Sequence, residues 1–198
     1  MSASASVRCR GERGTALVEL AVLLPLLAIL AFGITEFGLA LQDRMVVEGA
    51  GRAGTRVGSA AGATAAADQT LLLALGSAVN DVGLDNVSWV VVYKSVTADG
   101  VVPATCTGPT PHSVSTSCNA YSGAQLKQIV AGTAPGTWFG CGVGSLDVSW
   151  CPTSRQTTQA LGNDYLGVWL QTVHHLNTGM FGTQLTLSAQ SVMRLEPK

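Results

Sequence analysis

The sequence predicts an α+β chain: a long N-terminal transmembrane helix, then a small exported domain with short helices and an antiparallel sheet of about three strands. Three observations carry that expectation. Leu20 to Thr35 is sixteen residues without a charge, rich in Leu, Ala, Val and Ile. Apolar, β-branched or alternating runs recur at 87–96, 165–173 and 183–195, which is the signature of strands. Four of the five cysteines fall between Cys106 and Cys151, inside a polar Thr/Ser/Gly-rich stretch. Composition agrees: 12% of the 198 residues are charged, 47% are hydrophobic, and mean hydropathy is +0.34. A chain of this kind is membrane-linked or exported rather than disordered. The net charge of -1 and pI of about 6.3 lack the basic excess of a nucleic-acid binder.

The apolar segment extends from Thr15 to Leu41, interrupted only by Glu19 and Glu36. A helix from about Ala16 to Thr35 covers about 30 Å, the thickness of a bilayer core, and puts Glu36 at the far interface. No other stretch is apolar enough to wrap this helix in a soluble core. Arg8, Arg10 and Arg13 precede the segment, while Arg44, Arg52 and Arg56 follow it. The tighter first cluster, joined by the terminal amine, places the amino terminus inside and the C-terminal domain outside in a single pass. Only five Lys or Arg follow Val57, so little holds the downstream region in the cytoplasm.

Cys9 stands alone before the apolar segment. The other four cysteines read as two disulfides formed in an oxidising compartment. Three connectivities are open, and local pairing, Cys106–Cys118 with Cys141–Cys151, is the simplest. No CxxC-type pair exists to suggest zinc.

The chain divides into a leader over 1–14, a transmembrane and extended helix over 15–57, and an exported domain over 58–198. Gly58–Ala67, nearly all Ala and Gly, reads as a helix end or linker. Asp68 is placed to cap a short helix with Leu71, Leu72, Leu75, Ala78 and Val79 on one face. Val87–Val96 is apolar on both faces, as a central strand would be. Val101–Ala120 reads as an irregular loop closed by a disulfide, Ser122–Ala131 as a short helix, and Gly132–Gln159 as a second loop. Tyr165–Val173 and Thr183–Leu195 read as strands, with a turn at Asn177–Gly182 that could join them as a hairpin.

No motif announces an enzyme, a metal or a cofactor. Gly49, Gly51 and Gly54 spell GxGxxG, but a membrane helix precedes them where a dinucleotide site needs a strand. Ala50, Gly54 and Gly58 instead have the small-xxx-small spacing that lets another helix approach closely. His174 and His175 are adjacent, so on a strand they point to opposite faces and cannot easily chelate one ion.

A short basic leader, Arg13-Gly14, an apolar helix and Glu19 five residues after the glycine together resemble the class III signal of type IV pilin-like proteins. More closely, the chain resembles TadE-like minor pilins of the tight-adherence (Tad/Flp) pilus. Arg13, Gly14, Glu19, Pro25, Gly33 and Glu36-Phe37-Gly38 carry the likeness. Gly51 to Arg56 resembles the family's alanine-arginine-glutamate-glycine-alanine-arginine run, and TLSAQSVMRLEP resembles its closing strand. Leu20 stands where the family usually has an aromatic, and Ala53 where the run has an acid.

The resemblance implies cutting between Gly14 and Thr15 by a prepilin peptidase. It further implies an inner-membrane assembly platform, the major Flp-type pilin and other minor pilins as partners. Glu19 and Pro25 become assembly residues: Glu19 is a costly charge near the membrane that calls for a partner, and Pro25 interrupts the helical ladder. Ala28, Ala31, Thr35 and Gly38 form a stripe of small residues for helix packing. Two rivals remain. One is a secreted or anchored surface-binding protein, cut after Ala40 at Gly38-Leu39-Ala40 to begin at Leu41. The other is a surface hydrolase with a site around His174 or His175.

Overall fold

The computed structural model describes residues 12–158, 162 and 164–197. Cys9, Arg8, Arg10 and the rest of the leader up to Gly11 lie outside the described residues. Helix α1 spans Glu12–Ala61, fifty residues and about 75 Å. Its N-terminal half touches little of the protein. Over its most apolar 18 residues the mean hydropathy is 2.6 and only 6% are buried, so this is not the core helix of a soluble domain.

The C-terminal part of α1 lies on a four-stranded antiparallel sheet together with α2 (Ala67–Ala78) and α3 (Gly123–Val130). The strands are β1 (Val87–Ser95), β2 (Cys118–Ser122), β3 (Tyr165–His175) and β4 (Gln184–Arg194), in the order β2-β1-β3-β4. The sheet has one strand more than the sequence predicts. Cys118–Ser122 is too short and polar to announce itself, and it becomes a strand by pairing Val91 with Ala120 and Tyr93 with Cys118. The disulfide loop at 101–120 therefore ends inside the sheet.

Both faces of β1 are covered, for different reasons. Val90 and Val92 face the helices, in a core with Leu71, Leu72 and Leu75 of α2 and Leu166, Val168 and Leu170 of β3. Val91 and Tyr93 face the other way and are roofed by the loop that the Cys106–Cys118 bond closes. Each fully buried leucine contributes about 1.5–3 kcal/mol, so the helical side supplies most of the stabilisation. Tyr93 lies across its cross-strand partner Gly167, where an added Cβ would come within 2.2 Å of the ring.

Small residues on α1 let α2 come close. A Cβ on Gly58 would stand 2.5 Å from Leu71, and one on Gly54 would stand 3.2 Å from Leu75. The helix that the Ala50/Gly54/Gly58 spacing admits is thus the chain's own α2. At α3, Ser122 and Gln125 form a reciprocal capping box. In α2, by contrast, Asp68 is not the cap. It lies inside the first turn, fully buried, and pairs with Arg155 at 2.6 Å. Its other oxygen accepts hydrogen bonds from Asn119 and Tyr121. Burial and the charge of Asp68 hold the Tyr121 phenol well above its usual range.

The second disulfide, Cys141–Cys151, closes the other loop. Asp147 orders it by accepting the backbone N–H groups of Gly140 and Cys141. Guanidinium Arg155 lies 4.1 Å from the ring centroid of Trp150, next to that disulfide.

Candidate assembly surface on the N-terminal helix

Alpha-helical geometry turns about 100° per residue, and it sorts the residues of α1 onto distinct faces. Glu36, Ala40, Val47, Ala50, Gly54 and Gly58 are buried against the domain. Ala31, Thr35 and Gly38 point about 140° away from the middle of that face and are exposed. Ala28, on the same stripe, is half-buried. A Cβ on Gly38 would meet nothing within 4 Å. Thr35 donates its hydroxyl to the Ala31 carbonyl at 2.9 Å, so the stripe offers another helix a smooth surface whose one hydroxyl is already satisfied.

Upstream, Gly14 and Thr15 lie in the first turn of α1, and Glu19 is exposed one turn on. Leu17, Val18, Leu20, Val22, Leu23 and Leu24 surround Glu19 and are at least half exposed. Glu19 is thus a carboxylate set among exposed apolar side chains, and enclosing it in a packed helical bundle would be costly without a partner. Pro25 stands inside the continuous helix. Its missing N–H leaves the Ala21 carbonyl without the usual partner four residues on.

Four side-chain contacts clamp α1 to the domain. Glu36 is 2% exposed and accepts the backbone N–H of Thr178, in the β3–β4 turn, at 2.5 Å. Asp43 meets Nδ1 of His174 at 2.6 Å. Further along, Thr55 and Ser191 share a hydroxyl hydrogen bond, and Ser59 donates to the Arg194 carbonyl. Sequence reasoning put Glu36 at the membrane exit but missed its partner, because nothing local links residue 36 to residue 178.

His174 is buried and His175 exposed, on opposite faces of β3 as the strand register requires. Among the described residues no group of three or more His, Cys, Asp or Glu converges to hold a metal. Arg52 and Arg56 are exposed on one side of α1, where Glu48 pairs with Arg44 at 3.2 Å and with Arg52 at 3.8 Å. Those are surface pairs, worth a few tenths of a kcal/mol.

No curated protein and no solved structure matches the chain. Residues 14–56, which hold the stripe, Glu19, Pro25 and the Glu36 clamp, match the family model described as TadE-like protein.

Proposed function

We propose that the chain is a membrane-anchored minor pilin or pseudopilin that takes part in Tad (Flp) pilus assembly or adhesion through α1. The role is structural rather than catalytic. A single observation carries the reading: within the segment that matches the TadE-like model, Ala31, Thr35 and Gly38 of the small-residue stripe are uncovered and face away from the chain's own domain. A helix that used this face internally would have covered it. Left open, it suits close approach of a second helix, where small residues allow backbones to pack.

In this reading the amino terminus is inside, Ala16–Thr35 spans the inner membrane, and residues 58–198 form the exported domain. A prepilin peptidase cuts between Gly14 and Thr15. The new amine of Thr15 on one subunit then meets Glu19 on its neighbour. Both charges reach water near the interface of a bilayer, but an unpaired charge in a filament core is expensive. The pair therefore sets the stagger between subunits more than it adds stability. The assembly platform, the major pilin and other minor pilins are the partners. Two features support retention of α1 over a cut after Ala40. The helix runs unbroken through that point, and Glu36, upstream of it, is already bonded to the domain.

Intact mass and amino-terminal sequencing of protein from the native host test the reading. Thr15 is the expected first residue, and a start at Leu41 overturns it. In the same strain, Glu19→Gln should leave insertion and cleavage intact while lowering recovery with the major pilin. Normal co-assembly would make Glu19 an ordinary interfacial glutamate.

A further inference from the structure

The β3–β4 hairpin overshoots the sheet. Its last ladder pair is His175 with Gln184, and Leu176 to Thr183 continues beyond as a tip lying along α1. Tips of this kind in soluble domains are rich in polar turn residues. This tip has its turn residues too, Asn177, Thr178, Gly179 and Gly182, but no charged residue occurs from Leu176 to Met193, and the tip also carries Met180 and Phe181, 49% and 46% exposed. The Phe181 ring stands 5.6 Å from that of Phe37, and a Cβ on Gly33 would come 3.4 Å from its edge. Ile29, Leu30, Ile34 and these three residues line one open apolar groove.

Depth identifies what fills it. Counted from Ala16, Gly33 lies about 26 Å along α1 and Phe37 about 32 Å, which brackets the edge of a core about 30 Å thick. Glu36, the charge at that level, is hidden under the tip and bonded to the Thr178 N–H. The tip thus removes the charge from the boundary and presents apolar side chains in its place.

We infer that the β3–β4 tip is a second membrane contact, with Met180 and Phe181 seated among the lipid acyl chains of the leaflet on the domain's side. This rests on the reading of α1 as a membrane span. The contact follows from the groove's continuity with the lipid-facing side of that span, and its shallow depth keeps the turn backbone within reach of interfacial water. Its effect is to hold the domain down on the bilayer, fixing its tilt relative to the span.

The test uses the full chain with Cys9→Ser, its two disulfides kept oxidised, in phosphatidylcholine/phosphatidylglycerol vesicles. An environment-sensitive NBD dye is attached in turn through Met180→Cys, Leu27→Cys at mid-span, and Val96→Cys, which is 87% exposed. Near-UV circular dichroism confirms that each variant is folded. The Met180 dye should emit to the blue of the Val96 dye, resist iodide, and be quenched more by shallow than by deep spin-labelled lipid. The Leu27 dye should show the opposite depth preference. If the Met180 dye matches Val96 while Leu27 stays lipid-buried, the hairpin inference falls and the span stands. If Leu27 also matches Val96, the span reading falls and takes the inference with it.

Discussion

Replacing Arg155 with methionine should strongly destabilise the domain, because it strands a buried charge. Arg155 and Asp68 are both fully inaccessible, with Nη2 and Oδ1 2.6 Å apart. Removing the guanidinium leaves a buried carboxylate held by the Asn119 amide and the Tyr121 hydroxyl alone, both on the other oxygen. Breaking such a pair from one side costs about 3–5 kcal/mol. A domain of this size is stable by about 5–15 kcal/mol, so the loss is a large share of the total. The pair itself is not perfectly satisfied: among the described residues, Nε and Nη1 of Arg155 have no hydrogen-bond partner. The desolvation cost is therefore incompletely repaid, and removing both charges should cost less than removing one. Asp68→Asn with Arg155→Met keeps an acceptor for Tyr121 while deleting the charge, and should recover at least half of the loss. Urea unfolding of the full chain in detergent micelles, followed by near-UV circular dichroism, reads both effects. A loss below about 1 kcal/mol for Arg155→Met would refute the argument, as would a double variant no better than the single.

Three further outcomes are expected. On titration with reductant, Cys141–Cys151 should open before Cys106–Cys118, because the first pair is half-exposed and the second is fully buried beneath its own loop; timed alkylation with peptide mapping gives the order, and losing either bond should cost about 2–4 kcal/mol. Gly58→Val should destabilise the domain by about 1–3 kcal/mol through overpacking against Leu71, whereas Gly38→Leu should leave the unfolding midpoint unchanged and reduce recovery with the major pilin. Burial pushes the Tyr93 phenol up from 10.0 to about 12, so the unfolded chain ionises first. The stability tied to the neutral phenol is present in full below pH 10 and declines as pH rises toward 12. Tyr93→Phe should flatten that decline in thermal melts, and equal slopes for the two proteins would exclude it.

What could be read along the chain was what depends on neighbours in sequence. That the amino-terminal helix is long and apolar enough to cross a membrane follows from composition and from the length of a helical rise. The capping of α3 by Ser122 and Gln125 is a four-residue signal, and the two long runs of β3 and β4 carry their own alternation. The two disulfide pairs join cysteines only ten and twelve positions apart. Tertiary structure decided the rest, because the partners involved are far apart in the chain. Asp68 looked like a cap and is a buried ion, since its fate depends on Arg155, which reaches it only once the Cys141–Cys151 loop folds over α2. Strand β2 is too short to be seen without β1 beside it. Gly54 and Gly58 read as a surface for another helix, and that helix is α2 of the same chain. Ala31, Thr35 and Gly38 have similar chemistry yet stay open. A helix face is apolar or small by sequence, but whether it is covered depends on where the chain returns, and α1 is too long for one small domain to cover along its whole length.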